Sequence, residues 1–122
     1  MPGAGELRER ITFEQKGLDS DGERLGDWNS DDDAVTRAAK LLPLRGGEQV
    51  VASRLAGRQP YIITVRRDTA TRAITTDWRA YDARNTSRRF AILSIAPHVD
   101  PASKLPSNAW LDILAEEGGA DG

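Results

Sequence analysis

The sequence contains no cysteine, one histidine and one methionine. Without thiols there is no disulfide, no thiolate metal centre and no cysteine nucleophile, so the fold must hold by packing, or by packing against copies of itself. The single histidine, His98, leaves one imidazole on which a Ser-His-Asp relay would have to be built, and it stands in APHVDP, a stretch of turn character. No enzymatic activity is expected. No run approaches the roughly 20 apolar residues that cross a bilayer. The opening MPGAGELRER also lacks the apolar segment of a secretory signal, so the expectation is a protein made in the cytoplasm with no membrane partner. No glycine fingerprint for phosphates follows a strand, and the acids of DSDGE and NSDDD lack the calcium-loop spacing. No cofactor and no metal are therefore expected.

What is present is the composition of a folded protein: 122 residues, 39% hydrophobic and 30% charged, enough for one domain over residues 1–122. The net charge of −2 conceals blocks of opposite sign. Residues 17–33 carry seven acids and one arginine, a balance of −6, whereas residues 34–110 carry thirteen bases and five acids, a balance of +8. Such blocks are either solvated faces or surfaces that meet each other between subunits or meet a polyanion.

Short strands dominate the pattern. Residues 10–16 alternate Ile11 and Phe13 with Thr12 and Glu14, the period of a half-buried strand. Residues 34–44 alternate Val35, Arg37, Ala39 and Leu41, and residues 60–67 place Tyr61, Ile63 and Val65 on one face. Residues 73–83 and 89–99 read as a further pair around the turn-prone RNTS. Residues 108–117 fit either a strand or a helix, since Trp110, Leu111 and Leu114 also suit helical spacing. About six strands in this length predict an all-β fold, a small closed barrel, with a long acidic loop over 17–33. One short helix interrupts it at 47–57: Gly47 can begin it, Gly57 can end it in the left-handed conformation, and Val51 and Leu55 supply a narrow apolar stripe. A helix this short is marginal alone, so it must dock on the barrel or on a neighbour.

The order GELRERITFEQ, the acidic loop, LLPLRGGEQVVASRLAGRQPYIITVR, DWRAYDAR, FAILSIAPHVDP and WLDILAEEG resembles the phage head–tail joining family, whose members are head-closure or stopper proteins of tailed phages and gene transfer agents. The resemblance covers residues 5–118, with HVDPASKLPSN (98–108) longer than the turn expected there. It implies a structural protein of the head–tail connector that seals the DNA channel. The implied assembly is a homo-oligomeric ring of six or twelve copies, with the portal or adaptor on the head side, a tail terminator or tail tube protein on the other, and double-stranded DNA passing through. It also implies incorporation into the virion or virus-like particle at the head–tail junction.

On this reading Val51, Arg54, Leu55 and Arg58 are the expected subunit or partner interface. The acidic loop, with Asp19, Asp21, Asp27, Trp28, Asp31, Asp32 and Asp33, is expected to face the DNA channel, ordered around Trp28 only against a neighbour or the adaptor. The alternative is a small nucleic-acid-binding barrel, with Arg66, Arg67, Arg88 and Arg89 lining a phosphate track among Tyr61, Trp78 and Tyr81. An isoelectric point near 5.4 and the acidic blocks oppose it.

Overall fold

The computed structural model describes residues 7–17, 20–23, 28, 34–100 and 102–118. Six strands and one helix follow in the order β1 (Glu9–Glu14), β2 (Val35–Pro43), α1 (Glu48–Leu55), β3 (Gln59–Arg66), β4 (Arg79–Asp82), β5 (Asn85–Val99) and β6 (Pro106–Glu117). The strands close into an antiparallel barrel with neighbour order β1-β2-β3-β6-β5-β4. The β1–β4 pairing, Thr12 opposite Tyr81 and Glu14 opposite Arg79, forms the closing seam.

The alternation read from the sequence is what fills the barrel. Ile11 and Phe13 of β1, Ala39 of β2, Ile63 and Val65 of β3, Ala80 of β4, Phe90 and Ile92 of β5, and Leu111, Ile113 and Ala115 of β6 form the buried core. Their intervening neighbours point outward, as when the Thr12 and Thr36 hydroxyls pair at 2.8 Å across the β1–β2 ladder. Arg37 breaks the apolar series of β2, and Asp68 accounts for it. The Arg37 Nε donates to Asp68 Oδ2 at 2.9 Å, and this contact holds the Asp68 carboxyl below the usual carboxylate range.

Strand directions give the barrel two distinct ends. At the helix end lie α1, the start of β3, the β4–β5 turn and the close of β6; at the tip end lie Glu14, Arg79, the β3–β4 connection and the β5–β6 hairpin loop. Residues 73–83 are not one strand as the sequence predicts. Only Arg79–Asp82 is extended, and Thr71–Ala73 is a 3₁₀ turn held by reciprocal 2.8 Å bonds between Asp68 and Thr71. The spacing of Ile74 and Trp78 serves to bury both against the core from outside the ladder. The turn lies slightly earlier than RNTS (84–87): Ala83 and Arg84 make it, with Asp82 Oδ1 accepting from the Arg84 N–H at 2.8 Å, and β5 already starts at Asn85.

Residues 108–117 are strand. Leu111, Ile113 and Ala115 point inward, while Trp110 lies on the outer face with the Arg66 guanidinium 4.9 Å from its ring centroid. That aromatic on the polar side is what makes the pattern imitate a helix. The long stretch 98–108 is the distal part of the β5–β6 hairpin. From Ile92 onward β5 pairs with β6 alone, out to Val99 opposite Pro106, and irregularities at Ile92/Ser94 and Pro97/Val99 bend this arm.

Candidate functional site

Helix α1 ends as its glycines predict. Gly47 precedes it at φ 89°, Gly57 follows it at φ 83°, the Gly57 N–H bonds Arg54 O at 3.0 Å and the Arg58 N–H bonds Ser53 O at 2.8 Å. This pattern is the Schellman motif, which a left-handed residue at Gly57 makes possible. Glu48 in the first turn and Arg54 in the last suit the helix dipole. None of its residues is buried. Leu55 is 85% exposed and Val51 45%, and together with Gly47, Glu48 and Ala52 they line a shallow apolar groove on the helix. The structure thus brings Val51 and Leu55 together as one ridge. Arg54 and Arg58 are exposed beside it and line, with Glu117 and Gly118, a neighbouring hollow; Arg58 Nη1 lies 4.0 Å from Glu116 Oε1.

Beneath the helix end the strands converge on Arg88. Its Nε and one Nη grip Glu117 at 2.8 and 3.1 Å, the same Nη reaches the Tyr61 hydroxyl at 3.4 Å, and the other Nη lies 3.6 Å from Asp82. The Tyr61 ring stands edge-on to Phe90 at 5.6 Å. The Arg88 bond holds the Glu117 carboxyl below its ordinary range, while burial, helped by the Glu117 charge, raises the Tyr61 phenol above its own. This node ties β3, β4, β5 and β6 together and leaves Arg88 committed within the chain.

At the tip end Trp28 is half-buried against its own barrel. It forms a bridge with Lys16, whose Nζ lies 5.4 Å from the ring centroid, and the Arg79 guanidinium covers the ring at 4.4 Å. Two cations of the same chain thus cover the Trp28 ring, the residue around which the acidic loop is expected to order against a neighbour. Asp21 is exposed, and Asp19, Asp27, Asp31, Asp32 and Asp33 lie outside the described residues. Among the described residues no three carboxylate or imidazole groups gather as a metal site.

His98 Nδ1 lies 3.0 Å from both oxygens of Asp112, and the Thr64 hydroxyl donates to Asp112 at 2.7 Å. In this order the hydroxyl meets the carboxylate rather than the imidazole, which is not the arrangement of a Ser-His-Asp relay. The phosphate track also does not assemble: Trp78 is in the core, Arg88 is held by Glu117 and Arg66 lies over Trp110.

Sequence reasoning missed the Arg79–Glu14–Trp28 and Arg88–Glu117 contacts, because no local spacing signals pairs 65 and 29 residues apart. It also missed the exposed apolar residues of the hairpin loop, Val99 and Leu105, for which the unusual length of 98–108 was the available signal.

No curated protein and no solved structure matches the chain significantly. The sequence pattern of the phage head completion proteins matches residues 2–118, nearly the whole length and every strand of the barrel, and the chain belongs to that family.

Proposed function

We propose that this chain is a subunit of a stopper ring at the head–tail junction of a tailed phage or a gene transfer agent, closing the DNA channel and joining capsid to tail. Family membership supplies the structural role in the head–tail region. The observation that carries the finer reading is α1: an eight-residue helix, too short to be stable alone, presents Leu55 almost entirely to solvent. Val51, Arg54, Leu55 and Arg58 form the contact with a neighbouring copy or with the portal-side adaptor. Six or twelve copies surround the channel. The acids of 17–33, including Asp19, Asp21, Asp27, Asp31, Asp32 and Asp33, face the DNA, where carboxylates keep phosphates from adhering as the duplex passes.

The test is complementation of a particle-producing strain that lacks the gene. With Leu55→Asp, DNA-filled heads without tails should accumulate, and the wild-type chain should appear at the head–tail junction of purified particles. Normal tailed particles with the variant would refute the interface, and particles devoid of the wild-type chain would refute the role.

A further inference from the structure

The chain exposes a second apolar surface besides α1, and it lies at the opposite end of the barrel. The β5–β6 loop is a structured turn: the Asp100 N–H bonds Leu105 O at 3.0 Å, the Lys104 N–H bonds Asp100 O at 2.8 Å, and Asp100 Oδ1 accepts from the Ala102 N–H at 2.9 Å. Lys104 adopts φ 63°, a left-handed conformation uncommon outside glycine. The turn leaves Leu105 65% exposed and Val99 49% exposed. Leu105 also lines a shallow hollow with Pro106 and Ala109.

Position decides what this surface can meet. Along β6, from Pro106 beside the tip to Glu117 beside α1, the chain runs eleven residues, or about 36 Å at a strand's rise. A twofold contact that places α1 on α1 leaves both tips bare, and one that places tip on tip leaves both helices bare. A head-to-tail contact covers both surfaces, and repeated with the right rotation it closes a ring.

Charge favours the same arrangement. The helix end exposes Arg45, Arg54 and Arg58 on and around α1, with Glu48 in its first turn. The tip carries Asp100, whose carboxyl the Ala102 N–H holds below its ordinary range, and Lys104. The complementarity is local, Asp100 against Arg54 or Arg58, since Arg66, Arg67 and Arg72 at the close of β3 and in the β3–β4 connection make the rest of the tip end basic.

We propose that the β5–β6 tip of one copy docks on the α1 ridge of the next, with Leu105 and Val99 against Val51 and Leu55, and Asp100 facing Arg54 or Arg58. This rests on the ring reading above and names the two faces that such a ring joins.

The absence of cysteine makes the test clean. Leu55→Cys and Leu105→Cys variants are mixed at ~1 mM total protein, where even a contact with a millimolar dissociation constant is about half formed. They are then oxidised briefly. The expected product is a disulfide-linked pair of one variant with the other, in several-fold excess over either like-with-like pair. It should disappear when Arg54→Glu is added to the Leu55→Cys chain and return when Asp100→Arg is added to the Leu105→Cys chain. Methyl spectra of the wild-type chain over the same concentration range should show Leu55 and Leu105 shifting together, and Leu105→Asp should silence the shift at Leu55. Like-with-like disulfides in excess, or methyl shifts confined to one end or absent from both, would overturn the pairing. Whether the chain is found in particles is read separately and bears on the functional reading alone.

Discussion

Arg79 does two things at once: its guanidinium covers the Trp28 ring at 4.4 Å, and its Nε donates to Glu14 across the β1–β4 seam. Both ends of the ion pair are largely out of water, with Glu14 only 5% exposed. Removing the arginine strands a buried carboxylate and uncovers the indole. Arg79→Ala should therefore cost about 3 kcal/mol of unfolding free energy, near the loss expected when one partner of a buried pair is deleted. Glu14→Gln with Arg79 retained should cost less, because the amide oxygen still accepts. Urea denaturation of both variants checks the order; equal losses would show that stranding the Glu14 carboxylate adds nothing to the cost of losing Arg79.

The Arg88 node predicts the shape of the pH profile. Glu117 titrates below its ordinary value of 4.5 in the folded chain, so its contribution is present above that value and is lost as pH falls through the depressed one. Tyr61 titrates above 10.0, so its contribution is intact below that value and is lost as pH rises through the raised one. Stability should be level between these limbs. Glu117→Gln should shrink the acid limb, leaving the part that Asp68 and Asp100 contribute, and Tyr61→Phe should shrink the alkaline limb, as read from thermal midpoints across pH. Unchanged limbs in both variants would mean that other groups set the profile.

Two glycines at the helix end should respond differently to alanine. At Gly57 (φ 83°) an added Cβ meets nothing within 4 Å, so only the left-handed backbone is penalised, by about 1 kcal/mol. At Gly118 (φ 93°) the same Cβ would come 2.7 Å from the Gly57 carbonyl oxygen, a clash with backbone as well as strain. Gly118→Ala should cost about 2 kcal/mol or more. Chemical denaturation that ranked Gly57→Ala as the worse variant would contradict this close approach.

Leu55→Asp offers a separation of folding from assembly. With its side chain exposed and the helix end capped by backbone bonds, the substitution should change the stability of the isolated chain by no more than about 0.5 kcal/mol. A large loss measured by calorimetry would mean that Leu55 packs within its own chain.

The barrel was readable from sequence wherever one face is purely apolar and the other purely polar. Ile11 with Phe13 and Ile63 with Val65 gave that signal, and the glycines at 47 and 57 bracketed the helix for the steric reason the dihedral angles bear out. The signal blurred where an apolar residue sits outside or a charge sits inside. Trp110 lies outward beneath Arg66, and Leu114 faces out beside Ile62 on the neighbouring strand, so β6 looked helical. Ile74 and Trp78 fill the core from a connection rather than a strand, so β4 looked longer than it is. Helix α1 was likewise visible as a short element set between two glycines. The hairpin tip was visible only as surplus length, since exposure is a property of the folded surface and not of any spacing.

The position of the seam also sets a timetable. Strand β1 is made first, finds β2 early, and then waits for β4, since the Glu14–Arg79 contact joins residues 65 apart. At roughly 5–20 residues per second, translation alone imposes a delay of several seconds during which one side of β1 is an open edge. The hairpin tip and the last turn of β6 emerge later still. In the proposed head-to-tail ring, a copy could not offer both of its opposite ends to neighbours until its own circle is complete, and the order in which the fold is made would keep unfinished chains out.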